Sequence, residues 1–244
     1  MSLPVWQALH SEIEPLGGTV VTVALDSVVS MATPWIDAAT PTHPSLIDTA
    51  HVTDDLFGFT NVPMAVWIDE NGTLVRPAEL ASVESRGDRE VPPGLPERLE
   101  KMMAEVGKIP DIGERYRDAV LDWMRNGAAS AHALTPEQVV ERSQPPDADR
   151  ARAAACFELG HHLMTTAGQD AAVPWWREAH RLFPENFTYK RQAWTLVTTP
   201  EGADAPDLIQ GPNDVYEGNW LDDVVAQGGG DNYYPRSEFA PTGG

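Results

Sequence analysis

Asn61-Val62-Pro63-Met64-Ala65-Val66-Trp67-Ile68-Asp69-Glu70-Asn71-Gly72-Thr73-Leu74-Val75-Arg76 decides how the front of this chain is read. Met64 to Asp69 is a short apolar strand, Glu70-Asn71-Gly72 supplies a tight turn, and Thr73 to Arg76 returns as a second strand. Asn-Gly between two apolar runs is the strongest short-range hairpin signal, so Met64 to Arg76 is predicted to form an antiparallel pair. Working upstream, Leu3, Val5, Trp6, Leu9 and Ile13 share one face of a helix, which Gly17-Gly18 ends. Thr19 to Leu25 is rich in β-branched residues and reads as a buried strand ending at Asp26. Val28 to Ala39 reads as a helix, His43 to Asp48 as an extended piece, and Asp54 to Phe59 as a helical turn.

Downstream, residues 81–95 are polar and full of breakers, as in a linker or surface loop. The chain then turns helical. Pro96 to Val106 carries Leu99, Met102, Met103 and Val106 on one face; Asp111 to Arg125 carries Ile112, Tyr116, Ala119, Val120 and Trp123. Thr135-Pro136-Glu137-Gln138 is a helix start with the makings of a capping box. Asp149 to Pro184 reads as a helix pair broken at Gly168, and Phe187 to Val197 as a third helix. After Thr199-Pro200 the periodicity fades. Residues 200–244 are expected to be an irregular tail, with parts held to the body by Tyr216, Trp220, Tyr233, Tyr234 and Phe239, and with Gly228-Gly229-Gly230 and the last residues mobile.

The composition sets limits on function. Of 244 residues, 42% are hydrophobic and 22% charged, enough for a real core. The formal charge of -20 repels phosphate backbones and anionic lipid, which argues against a nucleic-acid or membrane partner. That acidity serves solubility or attracts a basic partner. Cys156 is the only cysteine, so an internal disulfide is impossible, which fits a reducing compartment. Met1 to Trp6 shows neither the basic nor the apolar region of a signal peptide, and no apolar run approaches membrane-spanning length. Cytoplasm is the expected location.

The order helix, strand, helix, Val-Pro, strand, turn, strand resembles a thioredoxin-like domain, and more narrowly the TlpA and redoxin branch. Leu3-Pro4, Val20 to Asp26, Val62-Pro63 and Ile68-Asp69-Glu70-Asn71-Gly72 match that branch in order, over about the first third of the chain. The resemblance implies a cis peptide at Pro63, with Val62 bonding the backbone of an extended substrate. It also implies a Cys-x-x-Cys that would fall just before Met1, preceded by a first strand. Thiol exchange needs a low-pKa thiolate and a resolving thiol, and Cys156 alone supplies neither. Two expectations stand side by side. Either the redox motif lies upstream of this Met1, in a thiol-disulfide oxidoreductase or peroxidase, or the scaffold has lost it and serves binding. A missing strand would expose a sheet edge, to be covered by the tail or by a partner subunit.

Further along, Cys156 to Pro184 resembles a tetratricopeptide repeat, spanning residues 153–186. Leu159, Gly160, Leu163, Ala172, Trp176, Ala179 and Pro184 fall on its signature positions. Gly160 and Ala172 would let two helices approach while Trp176 fills the gap. One repeat cannot bury its own core, so Asp111–Arg125 and Thr135–Arg142 are expected to stack beside it. In such repeats the first helix lines a groove that binds peptides; here Phe157, His161 and Met164 would face it, or pack on neighbouring helices instead.

Other chemistry finds little support. Glu158-x-x-His161 has di-iron spacing, but the second such motif and the facing glutamates are not visible. His51 with Asp48, Asp54 and Asp55 reads as a solvated loop, with a metal or acid–base role the lesser alternative. Cys156 is expected to be a buried, inert thiol. The expectation is therefore an α/β thioredoxin-like domain over residues 1–80, a linker over 81–95, an all-α region over 96–199, and the tail. It carries no catalytic residues, no metal and no cofactor. Its partner is a protein or peptide segment, and a homo-oligomer is possible.

Overall fold

Asp69 builds the turn that the sequence announced. Its Oδ1 accepts the N–H groups of Asn71 at 2.9 Å and Thr73 at 2.8 Å, and its carbonyl accepts from Gly72 at 3.0 Å. Hydrogen bonding to the Thr73 amide holds this carboxyl below its ordinary range. The computed structural model describes residues 3–87, 94–143, 145–197 and 219–240. In chain order the elements are α1 (Leu3–Ile13), β1 (Thr22–Leu25), α2 (Val29–Ala39), β2 (Ser45–Asp48), α3 (Val52–Phe57), β3 (Met64–Ile68) and β4 (Leu74–Leu80). There follow α4 (Glu97–Lys108), α5 (Gly113–Asn126), α6 (Pro136–Arg142), α7 (Ala148–Thr166), α8 (Gln169–Leu182), α9 (Phe187–Leu196) and α10 (Trp220–Ala226). They divide between a mixed α/β unit, made of Met1–Asp88, Pro110–Gln144 and Pro235–Gly244, and a helical unit, made of Arg89–Ile109 and Pro145–Tyr234.

The mixed unit holds two separate two-stranded sheets. In one, β1 and β2 run parallel, from Thr22 opposite Ser45 to Leu25 opposite Asp48. In the other, β3 and β4 run antiparallel, with Met64 opposite Leu80 and Trp67 opposite Arg76. The register slips between Ala65 and Trp67, where β4 spends an extra residue around Pro77-Ala78. Proline has no N–H to give a ladder, so a bulge is where it belongs. The Val62–Pro63 peptide is cis.

The apolar face of α5 serves β3 and β4. The indole N–H of Trp67 donates to Tyr116 Oη at 2.8 Å, and Trp67 stacks on Trp123 at 5.1 Å. Helical periodicity correctly located that face; α5 and α6, expected in the all-α region, belong to the mixed unit. The expected linker is corrected too, over its described part. Ala81 and Val83 are buried, the Ala81 N–H donates to the Pro63 carbonyl, and Asp111 Oδ2 accepts from Ser85 Oγ at 2.7 Å and the Arg86 N–H at 2.8 Å. Residues 88–93 of that linker lie outside the described residues.

Arg76 is the most deeply placed charge of this unit, with its side chain fully buried. Its Nε and Nη2 donate to the two oxygens of Glu79 at 2.6 and 2.8 Å, and Nη1 donates to the His132 carbonyl at 2.7 Å. Glu238, also paired with Arg142, completes the cluster, and the guanidinium lies over the rings of Trp67 and Phe239.

The helical unit centres on the α7–α8 hairpin. A Cβ on Gly160 would stand 2.5 Å from the Trp176 ring, so only glycine lets the fully buried indole lie against α7. Ala153, Ala172 and Ala179 line the same seam. The expected irregular tail has more order than its composition suggested. Asn219 caps α10 by accepting the Asp222 N–H, and Trp220, Leu221, Val224 and Tyr233 enter the core. Gly228 to Gly230, expected to be mobile, form a fixed turn. The Gly229 N–H donates to the Val224 carbonyl at 2.8 Å, and the Gly230 N–H donates to Glu105 Oε2 at 2.8 Å. Gly230 also lies so close to the Glu105 carbonyl that no side chain fits. Tyr216 lies outside the described residues.

Candidate functional site

The features best suited to hold another chain are in the mixed unit. Among the described residues β1 is bonded only to β2, and β3 only to β4. Each therefore has one edge without a ladder partner, and an unpaired edge is a template for an added strand. Val23, Ala24 and Leu25 of β1 and Met64, Ala65 and Val66 of β3 are apolar, yet all are only half-buried. The expectation of a buried strand over 19–25 is corrected in this respect. The same part of the chain carries exposed apolar side chains. Of the fourteen large apolar residues that stand exposed among the described residues, eleven fall before Arg76; Trp35 on α2 is 73% exposed and Leu56 on α3 is 76% exposed. Scattered exposed apolar residues are ordinary, and the uneven share that falls in this part of the chain is what sets it apart.

Asp26 and Asp48 stand at the same end of the parallel pair, because Leu25 lies opposite Asp48. Asp26 Oδ1 accepts the Val28 N–H at 3.0 Å, and Asp48 Oδ2 accepts the Thr53 N–H at 2.7 Å and its hydroxyl at 2.6 Å. Burial would raise the Asp48 carboxyl, and these bonds outweigh it and lower it, so Asp48 is ionised at neutral pH.

Of the residues expected to bind, Val62 and Pro63 are half-buried, and the Val62 N–H already donates to Asn61 Oδ1 at 2.9 Å. That amide is engaged within the chain. Phe157, at 1% exposure, belongs to the core: its ring stacks on Tyr189 at 4.1 Å and meets His161 edge-on at 4.4 Å. His161 is half-buried and also meets the Trp176 ring, and burial lowers its pKa to about 4, so it is neutral at pH 7. Met164 is half-buried against the same core. The structure brings Phe157 and His161 together as packing residues and keeps Phe157 from any groove.

The histidine loop is not solvated as expected. His51 and Asp54 are each 1% exposed, and His51 takes left-handed backbone at φ 55°. No group of three or more histidine, cysteine or carboxylate side chains is placed to hold a metal among the described residues. Cys156 is buried.

One charged site escaped the sequence reading. A cavity of about 550 Å³ in the helical unit is lined by His180, Glu185, Lys190, Asp223, Gln227 and Asn232, among others. Lys190, 1% exposed, stands 3.3 Å from Asp223 Oδ2 and 4.4 Å from the Phe187 ring centre. Burial lowers its pKa to about 8 against the pull of Asp223, and burial lowers His180 to about 3. At neutral pH this lysine keeps its proton and fastens α10 to α9. The available signal was the lysine itself, flanked by Phe187, Tyr189 and Trp194, with Asp223 far along the chain.

The class defined by this architecture is a mixed α/β unit with small sheets and a helical unit; among the described residues no helix is long and apolar enough to cross a membrane. No protein-family model, curated protein or solved structure matches the chain.

Proposed function

We propose that this protein is a non-catalytic adaptor in which a thioredoxin-like scaffold holds an extended segment of a protein partner, and in which the α7–α8 hairpin is a tetratricopeptide-like repeat. One observation carries the reading: β1 and β3 each present an edge without a ladder partner among the described residues, in the part of the chain that holds eleven of the fourteen exposed large apolar side chains among those residues. A strand added to such an edge gains backbone hydrogen bonds and covers apolar side chains together. Within these 244 residues the single thiol is buried, so dithiol exchange is not an activity that they support.

Selection of a random ten-residue peptide library on the immobilised protein tests this. The expected winners alternate apolar and polar positions and lose binding when every second backbone nitrogen is methylated. Winners with helical spacing of apolar residues, indifferent to backbone methylation, would refute strand addition.

A further inference from the structure

Arg76 is the first arginine or lysine in these 244 residues. Residues 1–75 contain no lysine and no arginine, against nine aspartates and glutamates. They carry α1, β1, α2, β2, α3 and β3, and so the unpaired edges of β1, β2 and β3. Two of those carboxylates, Asp26 and Asp48, sit together at the end of the parallel pair. Glu12 is paired with Arg117, while no ion pair reaches Asp26, Asp37 or Asp48 among the described residues.

The two outer edges of the parallel pair differ in character. Strand β2 reads Ser-Leu-Ile-Asp, with polar residues at both ends, as edge strands do. Strand β1 reads Thr-Val-Ala-Leu, apolar on both faces, which is the composition of a strand covered on each side and flanked by neighbours. Two parallel strands alone are a marginal sheet, and parallel sheets are normally covered on both faces. The composition of β1 calls for a further strand at its open edge. The charge around that edge selects the kind of chain, since a cationic segment is drawn to it and an anionic one is repelled. A second copy brings the same uncompensated carboxylates, so it is the poorer occupant.

We propose that the open edge of β1 takes, as a third strand, an extended segment of a partner protein in which apolar residues alternate with lysine or arginine. The proposal rests on the adaptor reading and adds to it the chemical class of the partner and the strand it joins. The apolar side chains of the segment cover Val23 and Leu25 or Ala24, according to register, and its cations lie toward Asp26 and Asp48.

The test uses the full chain and three synthetic ten-residue peptides that alternate valine with lysine, serine or glutamate, titrated by calorimetry at 50 mM and 500 mM salt. The lysine peptide is expected to bind at least tenfold more tightly than the glutamate peptide at 50 mM, with the gap closing at 500 mM as screening shortens the reach of the charges. A lysine peptide methylated on alternate backbone nitrogens is expected not to bind. Asp26→Asn, which keeps an oxygen for the Val28 N–H, is expected to weaken the lysine peptide about threefold and leave the serine peptide unchanged. Equal affinity for all three peptides, abolished by backbone methylation, would overturn the cationic partner and leave the adaptor reading standing. Binding of the methylated peptide as tight as that of its parent, or no binding by any peptide, would overturn both. A dimer at 150 mM salt that the lysine peptide fails to dissociate would assign the edge to a second copy and overturn the proposal.

Discussion

Replacing Arg76 with methionine should destabilise the mixed unit by about 3–5 kcal/mol, the usual cost of removing one partner from a buried ion pair. The side chain of Arg76 is fully buried and that of Glu79 is 13% exposed, whereas Glu238 is 39% exposed and keeps Arg142. The substitution removes both bonds to Glu79 and the bond to the His132 carbonyl. It leaves Glu79, whose carboxyl burial already pushes up, without its cation, out of water and beside the like charge of Glu238. Most of the loss therefore belongs to the stranded Glu79 rather than to the missing attraction. The double variant Arg76→Met/Glu79→Gln removes that stranded charge and should recover roughly 1–3 kcal/mol, the desolvation cost of a buried polar group. Urea unfolding of the four members of the cycle, followed by circular dichroism and tryptophan fluorescence, measures the coupling. Two results would refute the reasoning: Arg76→Met within about 1 kcal/mol of the parent, or a Glu79→Gln change that adds to the loss instead of reversing part of it.

In the helical unit, Gly160→Ala forces a Cβ to within 2.5 Å of the Trp176 ring and should cost about 1–3 kcal/mol of overpacking, read as a lower urea midpoint. His161 and His180 titrate near 4 and 3 because burial opposes their charged forms. The unfolded chain binds their protons first, so stability is full above about pH 6.5 and falls as the pH drops toward 4. His161→Phe/His180→Leu should flatten the fall between pH 6.5 and 4.5 in thermal melts, and an unchanged slope would count against the assignment. Lys190 behaves in the opposite range. Its folded pKa, near 8, lies below the ordinary 10.5, so the folded state sheds a proton first and stability rises from pH 8 to 10.5 by at most roughly 3 kcal/mol. Lys190→Met should abolish that rise relative to the parent chain.

The hairpin was legible because Asp69 to Gly72 dictates local geometry whatever surrounds it, and the capping box at Thr135 for the same reason, with Gln138 returning its side chain to the Thr135 N–H. The close seam of α7 and α8 was legible because Gly160 and Trp176 only make sense together. What each helix packs against was not legible. The face of α5 carrying Tyr116 and Ala119 is the same in sequence whether it meets another helix or Trp67, and only the partner's position decides. The tail misled because its glycines and prolines outvote Trp220, Leu221 and Val224 in any local average, although those three anchor α10. Lys190 was invisible for a related reason: periodicity places a lysine outward, and the aspartate that lets it turn inward stands 33 positions later. On α7 the sequence could not tell a binding aromatic from a packing one, because Phe157 meets Tyr189, which lies 32 positions later on α9.

The open edge of β1 raises the question of why copies of this protein would not join through it. Apolar strands with unpaired edges aggregate unless something opposes contact. Here the opposition is charge. At 150 mM salt the Debye length is about 8 Å, so carboxylates at the ends of two approaching β1–β2 sheets still repel; at 1 M it is about 3 Å, and the repulsion is largely gone. The same salt strengthens none of the backbone bonds that an edge-to-edge dimer would make, so the balance turns on screening alone. Sedimentation velocity at both salt concentrations should therefore show a monomer at the lower and self-association at the higher, with Asp26→Asn shifting the onset to lower salt. Persistent monomer at 1 M would mean that the edge is covered by the chain itself and that its carboxylates are not what keeps it free.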